Sequence, residues 1–235
     1  MSWRYEDHGR LDRTLEVAPA FGYINYHNYK VTEFSTNEPS GVPSRGDVER
    51  LALTYLKRLV GETNESCLYP CAGIERTQSR FSKKERKYLD KFVVLRGTMF
   101  ARQLDGIRFL GDGECGGLTI EFGRSAKLAS LELDWRRLEP FKLYKTLTRD
   151  GIVKQIRDGK AVVSRKAGDV PQTPSKLTIS KVAPFYMSKL SAVPEDYVFP
   201  VLQLRITAAL DGTNTAIFNL DCPIIADNER VRQAQ

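Results

Sequence analysis

The stretch from Phe92 to Trp135 constrains the fold most, because apolar and polar residues alternate along it between turns that contain glycine. Alternation with a period of two is typical of strands that bury one side and expose the other. The turn residues favour tight connections between antiparallel strands. They occur at Asp105-Gly106, Gly111-Asp112-Gly113 and Gly123-Arg124-Ser125. The stretch therefore predicts an antiparallel meander.

A helix is predicted immediately before this meander, from Ser44 to Gly61. Its apolar residues recur at the spacing that places them on one face of a helix. Ser44 is a typical N-cap residue, and Gly61 is a plausible end. We expect the apolar face to cover a sheet that contains Leu118, Ile120, Phe122, Leu131 and Leu133. The residues of that face are Val48, Leu51, Ala52, Tyr55, Leu56 and Leu59.

The second half of the chain repeats this order of elements. Thr148 can cap a short helix that ends near Gly159, and strand candidates follow at 177–187, 198–210 and 215–225. A chain of 235 residues is long enough for two domains. The sequence therefore predicts an aromatic-rich segment and linker at 1–43, a helix-plus-meander domain at 44–140, and a helix-plus-strands domain at 141–235.

Three motifs resemble a known family: YLKRLVG, FARQLDGIRFLGDG and LTIEFGRSAKLASLELDWRRLEP. They are similar to the PepSY and FTP propeptide-type domains and to related tandem-domain regulatory proteins of bacterial cell envelopes. Arg102 and Asp105 match polar positions of that pattern. They are candidate binding residues, with the fixing of a strand end and a hairpin as the alternative role.

The resemblance implies an α+β fold of two cystatin-like (PepSY-like) units, each a helix packed on a curled antiparallel sheet. It also implies an extracytoplasmic or secreted setting, with a cytoplasmic location as the alternative. The implied role is non-catalytic binding or restraint of another protein. No peptidase domain follows in this chain. A domain that inhibits its own peptidase, as such propeptides do, would therefore have no target within the chain.

The net charge of +7 is concentrated in one segment, residues 76–91. Its candidate basic patch consists of Lys83, Lys84, Arg86 and Lys87, with Phe81 and Tyr88 nearby. One interpretation is a solvated, mobile connection between a helix and a strand. The other is a contact patch for an acidic partner, whether a protein, a phospholipid surface or a polyanion. No specific nucleic-acid-binding motif accompanies the segment.

The aromatic run from Phe21 to Phe34 gives a second candidate binding surface. Tyr23, Tyr26 and Tyr29 lie in a segment that is compatible with a strand, where they either pack against a neighbouring core or contact a partner. A carbohydrate-stacking surface is a further alternative. Because desolvated aromatic residues usually contribute more binding energy than lysines at an interface rim, we expect these tyrosines to outweigh the basic patch.

Reactive residues are sparse. Cys67 and Cys71 are candidates for a local disulfide if the protein is exported, with reduced thiols as the alternative. The cysteine spacing does not favour zinc, and two histidines provide little for a triad or a metal site. The run from Gly111 to Gly117 lacks the Lys-Ser/Thr of a phosphate-binding loop. The sequence therefore predicts no enzyme, no cofactor and no metal.

These observations favour a non-catalytic protein-binding or regulatory module, with another protein as its partner. The first alternative is a structural subunit of a larger extracellular or surface assembly, which includes self-assembly. The second alternative is a small-ligand carrier or an enzyme of unknown type. No apolar run is long enough for a transmembrane helix, so none is predicted.

Overall fold

The structure is a computed structural model. It describes residues 2–7, 12–32, 38–61, 68–110, 117–136, 145–167, 176–187, 198–209 and 215–225. Twelve strands and three α-helices lie within these ranges. The chain divides into two compact units, Met1–Leu138 with Lys189–Pro194, and Glu139–Ser188 with Glu195–Gln235.

The first unit is an antiparallel sheet with two helices. Its strands follow the order β1-β2-β3-β8-β7-β5, β4 pairs with the other edge of β5, and β6 pairs with the end of β5. The elements are β1 Trp3–Glu6, β2 Arg13–Ala18, β3 Tyr23–Asn28, α1 Tyr29–Thr32, α2 Arg45–Val60, β4 Leu68–Ser82, β5 Lys87–Leu104, β6 Ile107–Leu110, β7 Gly117–Phe122 and β8 Leu128–Asp134.

The second unit consists of one helix and four antiparallel strands, in the order β10-β11-β12-β9. The elements are α3 Arg149–Arg157, β9 Val162–Ala167, β10 Lys176–Met187, β11 Phe199–Ala209 and β12 Thr215–Pro223. As the sequence predicts, Thr148 caps α3: its hydroxyl accepts a hydrogen bond from the amide of Gly151 at 3.3 Å. An isolated bridge joins Thr146 to Ile225.

The core of the first unit lies between α2 and one face of the sheet. Val48, Ala52 and Leu56 of α2 are buried there. They pack on alternate residues of β7 and β8, since successive strand residues point to opposite faces. These sheet residues are Leu118, Ile120, Phe122, Leu131 and Leu133. The predicted packing is thus confirmed, except that Leu59 is 41% exposed.

Both predicted ends of α2 are confirmed. The Ser44 hydroxyl accepts a hydrogen bond from the amide of Asp47 at 3.2 Å. Its own proton is donated to the Asp47 carboxylate at 2.7 Å. Gly61 ends the helix with a φ of 83°, a backbone conformation that favours glycine.

The predicted meander is present as β5, β7 and β8, which pair in antiparallel register. The predicted turn at Asp105-Gly106 is also present. Leu104 pairs with Ile107, and the two residues between them have positive φ values of 51° and 75°. This is the geometry of a two-residue hairpin turn that matches strand twist.

The predicted fold class, α+β with two cystatin-like units, is wrong. The chain is predominantly β, and the first unit contains far more strand than one helix could cover. Two regions caused the error. The segment at 1–43, predicted as an aromatic segment and linker, supplies β1 to β3, and the region after α2 supplies β4. Most of β4 is exposed on both faces, so its sequence lacks the apolar alternation that predicts a strand.

Candidate functional site

The outer half of the β4–β5 hairpin is a two-stranded ribbon, which we call the basic ribbon and define as residues 77–92. Its cross-strand partners include Gln78 with Phe92, Phe81 with Tyr88, and Ser82 with Lys87. β7 pairs with β5 only over Arg96–Ala101. Among the residues that the structure describes, the two strands of the ribbon therefore pair only with each other.

Local sequence explains why the ribbon closes where it does. Residues 83–86 form the turn, in which the Ser82 hydroxyl accepts a hydrogen bond from the amide of Glu85 at 3.1 Å. Arg86 takes a positive φ of 49° to complete it. Ion pairs on the ribbon join Arg80 to Asp90, and Lys87 to Glu85 at 2.9 Å. The pairing register shifts between Ser79 and Phe81, and such bulges increase the local twist.

The basic ribbon carries much of the positive charge of the protein. Six basic and two acidic residues give it a net charge of +4, against +7 for the whole chain. The predicted basic patch lies together at its end: Lys83, Lys84 and Arg86 are in the turn, and Lys87 begins β5. All four residues are exposed. The patch is therefore part of a β-hairpin and not a connection between a helix and a strand.

Aromatic side chains lie directly behind this charged turn. The rings of Phe81 and Tyr88 meet edge to face, with centroids 5.2 Å apart and an interplanar angle of 67°. Phe81 is 50% exposed and Tyr88 is 72% exposed. Exposed aromatic surface beside several cations is a combination that recurs at binding surfaces for acidic partners.

An ion pair between an exposed arginine and a buried glutamate fixes the base of the hairpin to the sheet. Arg76 Nε donates to Glu121 Oε1 at 2.6 Å, and Arg76 Nη2 donates to Oε2 at 3.2 Å. The Ser130 hydroxyl also donates to Oε2, at 2.7 Å. Only 6% of the Glu121 side chain is exposed, so these three donors satisfy a carboxylate that would otherwise be costly to bury.

The three predicted tyrosines do not form one surface. Tyr26 packs against the core between α2 and the sheet. Tyr23 lies on the opposite face of β3, since its position differs by an odd number of residues. Tyr29 is in α1, about half exposed, and its ring stacks on His27 with centroids 6.1 Å apart. Tyr26 is thus a packing residue, whereas Tyr23 and Tyr29 reach the surface separately.

Tyr23 has an acidic environment. Partial burial raises the pKa of its hydroxyl, and the negative charges of Glu132, Glu16 and Asp134 raise it further. A hydrogen bond with Asn25 acts in the opposite direction. The phenol is therefore held in its neutral form over a wider pH range than an ordinary tyrosine.

Arg102 and Asp105 lie in structural positions. The guanidinium of Arg102 lies 4.7 Å from the ring centroid of Trp135 and 5.2 Å from that of Phe109. It also donates a hydrogen bond to the backbone carbonyl of Arg136. Asp105 occupies the turn between β5 and β6. The structure does not bring these two residues together with the basic ribbon or the tyrosines in one site.

The remaining sequence candidates concern thiols and metals. Cys71 is half-buried on β4 and forms no disulfide with a described cysteine, and its sulfur lies 3.7 Å from the carbonyl oxygen of Tyr69. Cys67 lies outside the described residues, so the Cys67–Cys71 disulfide stays a prediction. Over the described ranges, no group of histidine, cysteine or acidic residues could hold a metal ion. No helix in those ranges is long and apolar enough to cross a membrane.

Comparison with known proteins does not identify the chain. No protein-family model matches it, and no curated protein is a match. A crystal structure of an uncharacterized protein from Eubacterium rectale ATCC 33656 is similar at 12% sequence identity and a TM-score of 0.42. That likeness covers 97% of this chain and 74% of the other. It carries no information about function, and the PepSY resemblance stays a prediction.

Sequence reasoning found the basic residues of the ribbon but missed two features of the site. One is the pairing of Phe81 with Tyr88 across the strands. A signal for it exists, because both aromatic residues stand one position outside Ser82 and Lys87, which flank the four-residue turn. The other is the ion pair of Arg76 with Glu121, 45 residues apart, for which local sequence carries no signal.

Proposed function

We propose that this chain is a non-catalytic binding or regulatory module that holds an acidic macromolecule with its basic ribbon. The observation that carries the proposal is a ribbon with a net charge of +4 and an exposed aromatic pair behind its charged turn. An extracytoplasmic setting is part of the proposal, and it rests on the family resemblance alone.

The two kinds of side chain on the ribbon have complementary roles in binding. The lysines and arginines attract an acidic partner over a distance and accelerate encounter, an effect that salt weakens. Phe81 and Tyr88 add short-range contact area at a small cost in side-chain entropy. Cations on a mobile loop without aromatic neighbours would attract the partner but would not add this contact area.

The ribbon is also preorganised for binding. Cross-strand pairing orders its backbone from Thr77 to the turn, and the ion pair of Arg76 with Glu121 fixes its base to β7. A surface that is already ordered does not lose this conformational freedom when the partner binds. Therefore more of the contact energy is available as affinity.

Elution from immobilised heparin, a generic polyanion, tests the proposal. The patch variant replaces Lys83, Lys84, Arg86 and Lys87 with glutamine. Its matched control removes the same four charges from exposed positions elsewhere, by glutamine at Lys127, Lys145, Lys154 and Lys176. We expect the patch variant to elute at clearly lower salt than the control. Equal elution of the two variants would mean that net charge alone matters and would overturn the proposal.

One observation favours a second candidate, a subunit of a larger assembly. β4 pairs with β5 along one edge, and within the described part of the chain its other edge has no partner strand. Such an edge can accept an additional strand from another protein or from a second copy. Light scattering after size-exclusion chromatography tests this: growth of the molar mass with concentration would favour assembly, and a constant monomer mass would count against it.

A further inference from the structure

We propose that the acidic partner of the basic ribbon is a single-stranded nucleic acid, held by its phosphates and by stacking of a base on Tyr88. This inference rests on the proposed function and names its partner. It depends on three properties of the ribbon: cations that other protein groups do not neutralise, an accessible aromatic face, and a charged turn.

The cations suited to phosphate contact lie at and near the turn. Lys83, Lys84, Arg86 and Lys91 form no ion pair with another described residue, whereas Arg80 and Lys87 each have an acidic neighbour on the ribbon. Four basic groups along one ribbon, three of them in the turn, can reach successive phosphates of a flexible strand. Neutralised phosphates release counterions, which supplies most of the affinity in binding of this kind.

The aromatic pair distinguishes unpaired bases from a duplex. Phe81 contacts Tyr88 edge to face, so Phe81 supports the Tyr88 ring without covering both of its faces, and Tyr88 stays 72% exposed. In a duplex the bases already stack on each other, and their faces are not available to a side chain. In a single strand a base can stack on tyrosine whatever its identity.

The order of residues along the ribbon argues against insertion into a membrane. The turn that leads the ribbon is Lys-Lys-Glu-Arg, residues 83–86, and the aromatic residues follow behind it on both strands. Insertion of Phe81 and Tyr88 into the bilayer would carry these four charges deeper than the rings, which is unfavourable. A surface that aligns along a strand of phosphates avoids this cost.

Binding should depend little on base sequence. Phosphate contacts and stacking on an aromatic ring do not distinguish one base from another, and the exposed end of the ribbon offers mainly lysine, arginine and aromatic rings. From Thr77 to the turn the ribbon is about 20 Å long at about 3.3 Å per residue. It can therefore contact only a few nucleotides at a time.

Fluorescence anisotropy with a labelled oligothymidylate of about 12 nucleotides tests the inference. Four phosphate contacts predict a Kd that rises about 50-fold between about 50 mM and about 200 mM salt. The patch variant should bind more weakly than its charge-matched control and show a shallower salt dependence. An oligouridylate of the same length shows whether RNA and DNA are bound alike.

Tyr88 provides the readout that distinguishes stacking from charge. Tyr88→Ala should raise the Kd for the single strand by a factor of about 5 to 140, and Tyr88→Phe should leave it nearly unchanged. Tyr5, which is 58% exposed on β1, gives the matched control, and Tyr5→Ala should have no effect. The melting temperature of each variant checks that it is folded.

The outcomes separate this inference from the proposed function. If duplex DNA and heparin bind as tightly as the single strand, and Tyr88→Ala changes nothing while the patch variant weakens binding, the inference is wrong and the proposed function stands. If the oligonucleotides do not bind at low salt, the inference is also wrong. If the patch variant and its control bind every polyanion equally, both are wrong.

Discussion

Arg76 on β4 forms its ion pair with Glu121 on β7 across the intervening strand β5, with Nε 2.6 Å from Oε1. The residue of β5 opposite Glu121 is Gly97. Because glycine has no side chain, the two charged groups meet over the backbone of β5. The pair therefore connects β4 to β7 across β5 at the base of the basic ribbon.

Loss of the arginine should leave a buried carboxylate with one remaining donor, the Ser130 hydroxyl. We expect Arg76→Met to lower the free energy of unfolding by about 1 to 3 kcal/mol, less than for a wholly buried pair because Arg76 is itself largely exposed. Urea denaturation measures this change. The control is Arg80→Met, whose partner Asp90 is half exposed, and it should cost at most about 1 kcal/mol. Equal effects would contradict a special role for Glu121.

A side chain at Gly97 should destabilise the protein. A Cβ at this position would lie 2.8 Å from Cγ of Glu121 and would also clash with the backbone carbonyl of Ile120. We expect Gly97→Ala to lower the free energy of unfolding by about 1 to 3 kcal/mol through this crowding. Gly73→Ala on β4 is the matched control, because nothing lies within 4 Å of its Cβ position. A destabilisation shared by both variants would point to strand backbone effects instead.

The sequence predicts those elements that bury a regular row of apolar residues on one side. α2 and the meander of β5, β7 and β8 have such a side, and the period of their apolar residues shows it. β4 could not be predicted in this way, because most of its residues are exposed on both faces. Which strands pair with each other in a sheet also depends on contacts between residues that are distant in sequence. The structure therefore contains more strands than the two predicted units.

The candidate site was predictable to the same extent. The basic residues and the nearby aromatic residues can be read from the sequence, since both are properties of single positions. Their arrangement cannot, because the pairing of Phe81 with Tyr88 depends on where the hairpin turns. The tyrosines show the same limit: Tyr23 and Tyr26 are three residues apart, and strand geometry places them on opposite faces.

The core between α2 and the sheet gives a prediction with its own internal control. Leu56 is fully buried in this core, and Leu56→Ala should lower the free energy of unfolding by about 2 to 5 kcal/mol through lost burial and a cavity. Leu59 is on the same helix but is 41% exposed. Leu59→Ala should therefore lower the free energy of unfolding by less than Leu56→Ala does. Urea denaturation of the two variants gives the comparison. Equal losses would mean that helix propensity, not burial, determines the effect.

Tyr23 gives a prediction of pH dependence. Its pKa is raised in the folded state, first by partial burial and then by Glu132, Glu16 and Asp134. The unfolded state therefore loses this proton first, so the contribution to stability is complete below the ordinary tyrosine pKa and is lost as pH rises through the folded value. Tyr23→Phe should make the decline of stability at alkaline pH shallower.

Spectrophotometric titration of phenolate absorbance measures the same group directly. The difference between the parent protein and Tyr23→Phe isolates the titration of Tyr23. Glu132→Gln removes the acidic neighbour that raises the pKa of Tyr23 most and should move the Tyr23 titration toward lower pH, since less negative charge opposes ionisation. No movement would mean that the charge of Glu132 does not contribute to the raised pKa.

Arg102 gives the last prediction, which decides between a structural and a partner-binding role for this residue. Its guanidinium lies over the rings of Trp135 and Phe109 and donates to the carbonyl of Arg136. Arg102→Lys keeps the charge but loses the flat group that stacks on both rings. We expect it to lower the free energy of unfolding by about 1 to 2 kcal/mol and to change the emission of Trp135. Arg108→Lys is the control, because Arg108 lies over the ring of the more exposed Tyr69, and it should cost less. A stable Arg102→Lys variant with unchanged emission would contradict the structural role and return Arg102 to the candidates for partner contact.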